Sequence, residues 1–204
     1  QGGLMGYAPG TSQKYSHTEC IMLTQVIERA TGQSMKSLYE INILGPVSLR
    51  DTQFPLDQEI QAPVLHSYVE DRGFYEDATF HNPSWAGGGA LTSNLHDLGK
   101  WGFVFGSGQL LSAASFRELI ASSAGKGQNR ADLYFAYGFI YANGWLVQNP
   151  DINGYSGGFA HNLATGVTIV VAATKRSRPA KDPAAIHILR EVIKYVTPAT
   201  PLNF

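Results

Sequence analysis

From Thr18 onward apolar positions recur with a helical period. Met22, Val26 and Ala30 form one i, i+4 row with Leu23 and Ile27 beside it, and Thr31-Gly32 closes the stretch, so a helix is predicted there. A second short helix is expected near residues 34–43. Its cap is either Ser34 or Ser37, which stands three residues ahead of Glu40 in capping-box spacing. Residues 46–54 read as irregular. Residues 55–86 read as a loop rich in aromatic and acidic side chains (Tyr68, Glu70, Asp71, Phe74, Tyr75, Glu76, Asp77), either a lid over a site or an ordinary solvated excursion. After Gly87-Gly88-Gly89, a helix capped at Ser93 or Asn94 places Leu95, Leu98, Trp101 and Phe105 on one side. Another helix is expected over about residues 112–121.

The period then changes. Residues 137–147, 154–163 and 167–174 read as three strands separated by Asn- and Gly-bearing turns. The run 167–173 is nearly continuous apolar sequence, which suits a central strand covered on both faces. A closing helix is capped by Asp182, with Pro183 in its first turn, Ile186, Leu189, Ile193 and Val196 as its stripe, and Pro198 as its stop. Helices first, then an antiparallel meander and a packed terminal helix, spell an α+β fold. Two regions follow: a mainly helical one over 1–130, and the strands with the terminal helix over 131–204.

With 44% hydrophobic and 15% charged residues in 204, the chain is globular and large enough for a real core. Its formal net charge of −1 provides no field for nucleic acid or an anionic membrane, and suits a small, roughly neutral substrate. No run approaches the roughly 20 apolar residues of a membrane span. The single cysteine, Cys20, has no intrachain disulfide partner and reads as a small buried hydrophobe on the first helix. The six histidines (17, 66, 81, 96, 161 and 187) show no metal-ligand spacing, so neither metal nor cofactor is expected. Gly87–Gly89 lacks the Gly-Lys-Ser/Thr ending of a phosphate loop, and Gly-x-Ser-x-Gly is absent.

Two segments remain. Tyr15-Ser16-His17 stands just before the first helix, and Tyr155-Ser156-Gly157-Gly158 opens the second strand. Taken singly, the first is an ordinary packing tyrosine and the second an ordinary glycine bulge. Their context adds to that. Pro9-Gly10, Tyr15-Ser16-His17, Met22-Leu23, Val26-Ile27-Glu28, Thr31-Gly32 and Ile43-Leu44-Gly45-Pro46 through Asp51-Thr52 follow in order, then Gly88-Gly89-Ala90-Leu91-Thr92-Ser93 through Asp97-Leu98, Leu110-Leu111-Ser112 and Tyr137-Gly138. This succession resembles the serine β-lactamase family, in particular the branch of class C β-lactamases, D-alanyl-D-alanine carboxypeptidases and related esterases.

The resemblance implies a β-lactamase/transpeptidase-like fold, in part, and nucleophilic catalysis through an acyl-enzyme. A serine hydroxyl needs a neighbouring base, and the oxyanion needs preorganised N–H donors. It casts Tyr15 as general base or proton relay. It puts His17 at the substrate-orienting Asn position, Tyr155-Ser156-Gly157 at the Lys-Thr-Gly position, and the Gly158 N–H among the oxyanion donors. Tyr155 in place of Lys or His removes a cation that would meet a substrate carboxylate, as in the esterases of the family. The Ser-x-x-Lys pair that supplies the nucleophile is not found upstream of Tyr15. Ser123-Ala124-Gly125-Lys126 has the letters but sits in a Gly-rich polar stretch. Two readings follow: part of a serine hydrolase of small esters or amides whose nucleophile lies outside this chain, or a non-catalytic relative kept as a binding or scaffolding module. In the first, a companion amino-terminal fragment or a second copy of the chain completes the sheet beside residues 167–173. The family expectation for location is periplasmic or secreted.

Overall fold

The computed structural model describes residues 6–8, 10–54, 60, 62–71, 73–79, 91–123, 129–152, 154–174 and 183–202. Helix α1 (His17–Thr31) starts where Ser16, in extended backbone, accepts the Thr18 N–H on its hydroxyl. It ends at Gly32, whose φ of 68° lets its N–H turn back to the Glu28 carbonyl at 2.8 Å. Ser34 caps α2 (Met35–Tyr39) by accepting the Ser37 N–H, which decides between the two caps. Glu28 ties the helices together, its carboxylate accepting the Met35 N–H at 2.9 Å. The chain continues through a wide π turn (Glu40–Leu44) into α3 (Gly45–Val47), so the stretch read as irregular begins helically. Cys20 is exposed, against the sequence expectation. Much of the apolar row around it is exposed too, Met22 at 60%, Leu23 at 58% and Val26 at 60%, while Ile27 is half-buried.

The region read as a loop contains a hairpin, β1 (Tyr68–Asp71) with β2 (Phe74–Asp77), turning at Gly73 with φ 84°. Every side chain of β2 is exposed, so there was no apolar alternation to reveal a strand. Asn94, not Ser93, caps α4 (Leu95–Gly106), accepting the Asp97 N–H on Oδ1. Asp97 itself is 1% exposed. Its carboxylate accepts the Asp51 N–H at 2.8 Å and the Thr52 hydroxyl at 2.9 Å, which fixes the segment after α3 onto α4 and satisfies a buried charge. Ser112 caps α5 (Ala113–Leu119).

The sheet is antiparallel: β3 (Leu133–Phe135), β4 (Ile140–Ala142), β5 (Trp145–Gln148), β6 (Asp151–Ile152), β7 (Tyr155–Asn162) and β8 (Thr168–Thr174). The first expected strand is a hairpin, β4–β5, because Asn143 (φ 48°) and Gly144 (φ 87°) form a tight turn. β5 and then β6 pair along one edge of β7, and β8 pairs along the other. As expected, β8 is covered on both faces, by α4 and by α6 (Ala184–Val196). Among the described residues, however, β8 ends the sheet instead of lying at its centre.

Trp145, Val147, Ala160, Ile186, Leu189, Ile193 and Leu202 form the core on the α6 side. There the Trp145 Nε1–H donates to the Thr200 carbonyl at 2.8 Å. Three residues of the stripe predicted for α6 are buried, whereas Val196 is exposed. The expected cap, Asp182, lies outside the described residues. On the opposite face α4 approaches closely because it presents Gly102 and Gly106 to Phe159 and His161. A Cβ on Gly106 would sit 2.2 Å from the His161 ring. Gly87–Gly89 and residues 124–126 also lie outside the described residues; the Ser123 hydroxyl donates to the Phe135 carbonyl at 2.6 Å.

Candidate active site

Tyr15 stands two residues ahead of α1 and is 60% exposed. The loop that carries it is tied to the β3 edge: the Asn129 amide donates to Gln13 at 3.1 Å and to Ser123 at 2.9 Å, while Asn129 Oδ1 accepts the Phe135 N–H. Partial burial pushes the Tyr15 hydroxyl above its ordinary value, and nearby Cys20 adds to this. The phenol is therefore protonated at neutral pH. To work as a base it needs a cation beside it, which is what the lysine of a Ser-x-x-Lys pair would supply. His17 is the first residue of α1.

The second segment is the start of β7. It pairs with β8 in unbroken register from Tyr155↔Thr174 to His161↔Thr168, so its glycines mark no bulge there. Gly157 marks a close approach instead. A Cβ on Gly157 would lie 2.9 Å from the Pro150 ring, whereas one on Gly158 would make ordinary contacts with Ile186 and Leu189 at 3.4 and 3.5 Å. Ser156 is buried, and its Oγ accepts the Ala185 N–H at 3.2 Å, serving as a cap for α6. Ser156 and Gly158 thus face α6, and Tyr155 and Gly157 face the other way. The Gly157 N–H donates to the Pro150 carbonyl at 2.8 Å. Gly158 lies opposite Val171, inside the sheet, whereas an oxyanion donor must point out of its ladder.

Tyr155 is also occupied. Its hydroxyl donates to the Leu65 carbonyl at 2.7 Å, and Gly154, with φ 77°, lies so close to Tyr68 that a Cβ would come 2.7 Å from the Tyr68 carbonyl oxygen. The hairpin β1–β2 is therefore anchored beside the start of β7. Residues 148–151, which cross over Gly157, were not singled out from sequence. The Gln148 amide donates to the Gly138 carbonyl, and the Asn149 N–H reaches Gln148 Oε1. The available signal was a polar run, Gln148 to Asp151, directly after the three fully buried residues Trp145, Leu146 and Val147.

Two shallow concavities border neither segment: one of about 420 Å³ beside Glu40, Leu44 and Arg50, the other of about 320 Å³ beside Leu111, Leu119 and Tyr137. Among the described residues no group of three or more His, Cys, Asp or Glu is gathered to hold a metal. No described helix is long and apolar enough to cross a membrane.

Comparison with known proteins takes in both segments. The sequence model of the Beta-lactamase family matches residues 5–193. The unguisins hydrolase of Aspergillus violaceofuscus is 25% identical over 101 residues, which is 46% of this chain and 18% of that protein. Among solved structures, a D-stereospecific amidohydrolase from Streptomyces sp. superposes with a TM-score of 0.75 at 23% identity, over 82% of this chain and 52% of its own. A penicillin binding protein from Bacillus halodurans superposes with a TM-score of 0.74 at 16% identity, over 93% of this chain and 59% of its own. The chain thus spans under a fifth of that curated relative and little more than half of these two structures.

Proposed function

This chain belongs to the Beta-lactamase family and has the β-lactamase/transpeptidase-like fold, and from that premise we propose that it is the carboxy-terminal part of a serine hydrolase acting on esters or amides through an acyl-enzyme. The observation that carries this is the extent of the family match, which spans residues 5–193, from before Tyr15 to beyond Gly158. In this reading Tyr15 exchanges a proton with a serine that lies outside the given residues, and His17 helps to orient the substrate. On the face of β7 turned away from α6, Tyr155 and Gly157, with the turn 148–151 that crosses the strand, form the wall facing the acyl group, while Ser156 and Gly158 hold the strand against α6. The hydrolase names of two of the relatives support an acyl-transfer chemistry.

A companion segment bearing Ser-x-x-Lys would also cover what this chain leaves uncovered. Much of the apolar row of α1 is exposed, and β8 carries a strand on one side only among the described residues. A second copy of the chain is the other occupant to be tested. The working assembly should protect the β8 amides from exchange strongly, and the isolated chain should lose that protection.

Because Tyr155 brings no cation and its hydroxyl is engaged by Leu65, short neutral esters are the preferred substrates over carboxylate-bearing β-lactams. The test uses the complete gene product and compares kcat/KM on an ester panel with that on a chromogenic cephalosporin. An acyl adduct in the intact mass and faster ester turnover support the proposal. Faster cephalosporin turnover sinks the ester preference, and no adduct with any substrate sinks the enzymatic reading. A non-catalytic binding module is the second reading, favoured by His17 and Tyr155 standing where the family pattern has Asn and Lys, and by the engaged Tyr155 hydroxyl.

A further inference from the structure

We propose that His66 and Asp77 form a positioning clasp that holds the start of β7 through Tyr155. The inference rests on the reading above only for its functional meaning, since the geometry stands by itself. At the base of the β1–β2 hairpin the His66 Nδ1 lies 2.7 Å from Asp77 Oδ2. The other carboxylate oxygen accepts the Thr79 N–H at 2.9 Å, and the Thr79 hydroxyl accepts the Ser67 N–H at 2.9 Å. Ala78 closes the ring with its N–H on the Ser67 carbonyl. Contacts to Thr79, and then to His66, hold the Asp77 carboxyl down to about 2. The carboxylate is thus ionised at working pH and accepts only, which fixes Nδ1 as the protonated ring nitrogen of His66.

One residue before His66, the Leu65 carbonyl takes the Tyr155 hydroxyl; two residues after it, the Tyr68 backbone lies against Gly154. The clasp therefore sits between two anchors that join residues 65–68 to the turn ahead of β7. Ser67, Ala78 and Thr79 are buried, so the base of the hairpin is a fixed platform even though Phe74 and Tyr75 at its far end are exposed. His66 touches no reacting atom. It acts by fixing where the Leu65 carbonyl points, and so where Tyr155 and the strand behind it are held. Charged groups on the two hairpin strands are Glu70, Asp71, Glu76 and Asp77, and Asp77 is the one bonded to His66.

The test is amide hydrogen exchange on the full 204-residue chain, comparing His66→Ala, Tyr155→Phe and the double variant. Each single change is expected to lower protection at residues 155–158 by about tenfold or more, with the buried β5 amides unchanged. The double variant is expected to lose no more than the larger single loss, because both changes break one linkage. Loss confined to the hairpin, or fully additive losses, overturns the proposal. If His66→Ala loosens the whole chain, Asp77→Asn replaces it, which keeps the shape and removes the charge. It must give the local pattern, and a second global loss also overturns the proposal. Failure of the hydrolase reading would leave this exchange result untouched.

Discussion

The two amphipathic helices α1 and α6 carry similar apolar rows, and the fold treats them differently. On α6, Ile186, Leu189 and Ile193 are buried against β7 and β8, in one cluster with the fully buried Trp145 and Val147 of β5. On α1 the row of Met22, Leu23 and Val26 stays more than half exposed. Helical periodicity records that a face is made for burial; it does not say that the partner is part of the same chain. In the reading proposed above, a covering element outside the described residues would meet this exposed row.

The comparison breaks most sharply under truncation. Trp145→Ala should cost about 3–5 kcal/mol and Leu189→Ala about 2–5 kcal/mol in denaturant unfolding, because each opens a cavity in the packed side of the sheet. Val26→Ala should change the stability of the isolated chain by no more than about 0.5 kcal/mol. Equal losses at Val26 and Leu189 would mean that α1 is packed after all.

Gly106→Ala comes next. Its Cβ would meet the His161 ring at 2.2 Å, so α4 must move off the sheet, at a cost of about 1–3 kcal/mol by the same measurement. Ser156→Ala should cost about 0.5–2 kcal/mol through the lost acceptor for the Ala185 N–H.

The smallest effect is a pH dependence. Burial between Phe103 and Thr168 lowers the proton affinity of His161 below the ordinary 6.5. The unfolded chain then binds a proton that the folded chain refuses. Stability is therefore level above about pH 6.5 and declines as the pH falls from there toward the lower folded value. His161→Gln should flatten that part of the stability profile, and an unchanged slope would show that another group is responsible.

Much of the fold was legible because the signals were local. Ser34, Asn94 and Ser112 cap helices where Ser or Asn precedes an apolar row, and Gly32 ends α1 as a left-handed residue should. The strands are less legible where a tight turn interrupts an apolar run: Asn143-Gly144 splits one expected strand into two. The β1–β2 hairpin is not legible because every side chain of β2 is exposed, which leaves no apolar alternation to read. At the candidate site the tyrosines and glycines could be picked out by letter. What Gly157 and Gly158 approach, and that Ser156 turns toward α6, depends on contacts between residues distant in sequence. The exposure of Cys20 is not legible for the same reason as that of its neighbours on α1: an apolar row does not tell whether anything packs on it.

The central claim is that Tyr15 is working chemistry in a completed acyl-transfer site. The direct test is kcat of Tyr15→Phe against the unaltered complete gene product on its best ester. Loss of the hydroxyl should lower kcat by about 10²–10⁴-fold, the usual worth of a positioned acid–base group, with KM changed little. An unchanged kcat in Tyr15→Phe would contradict the account.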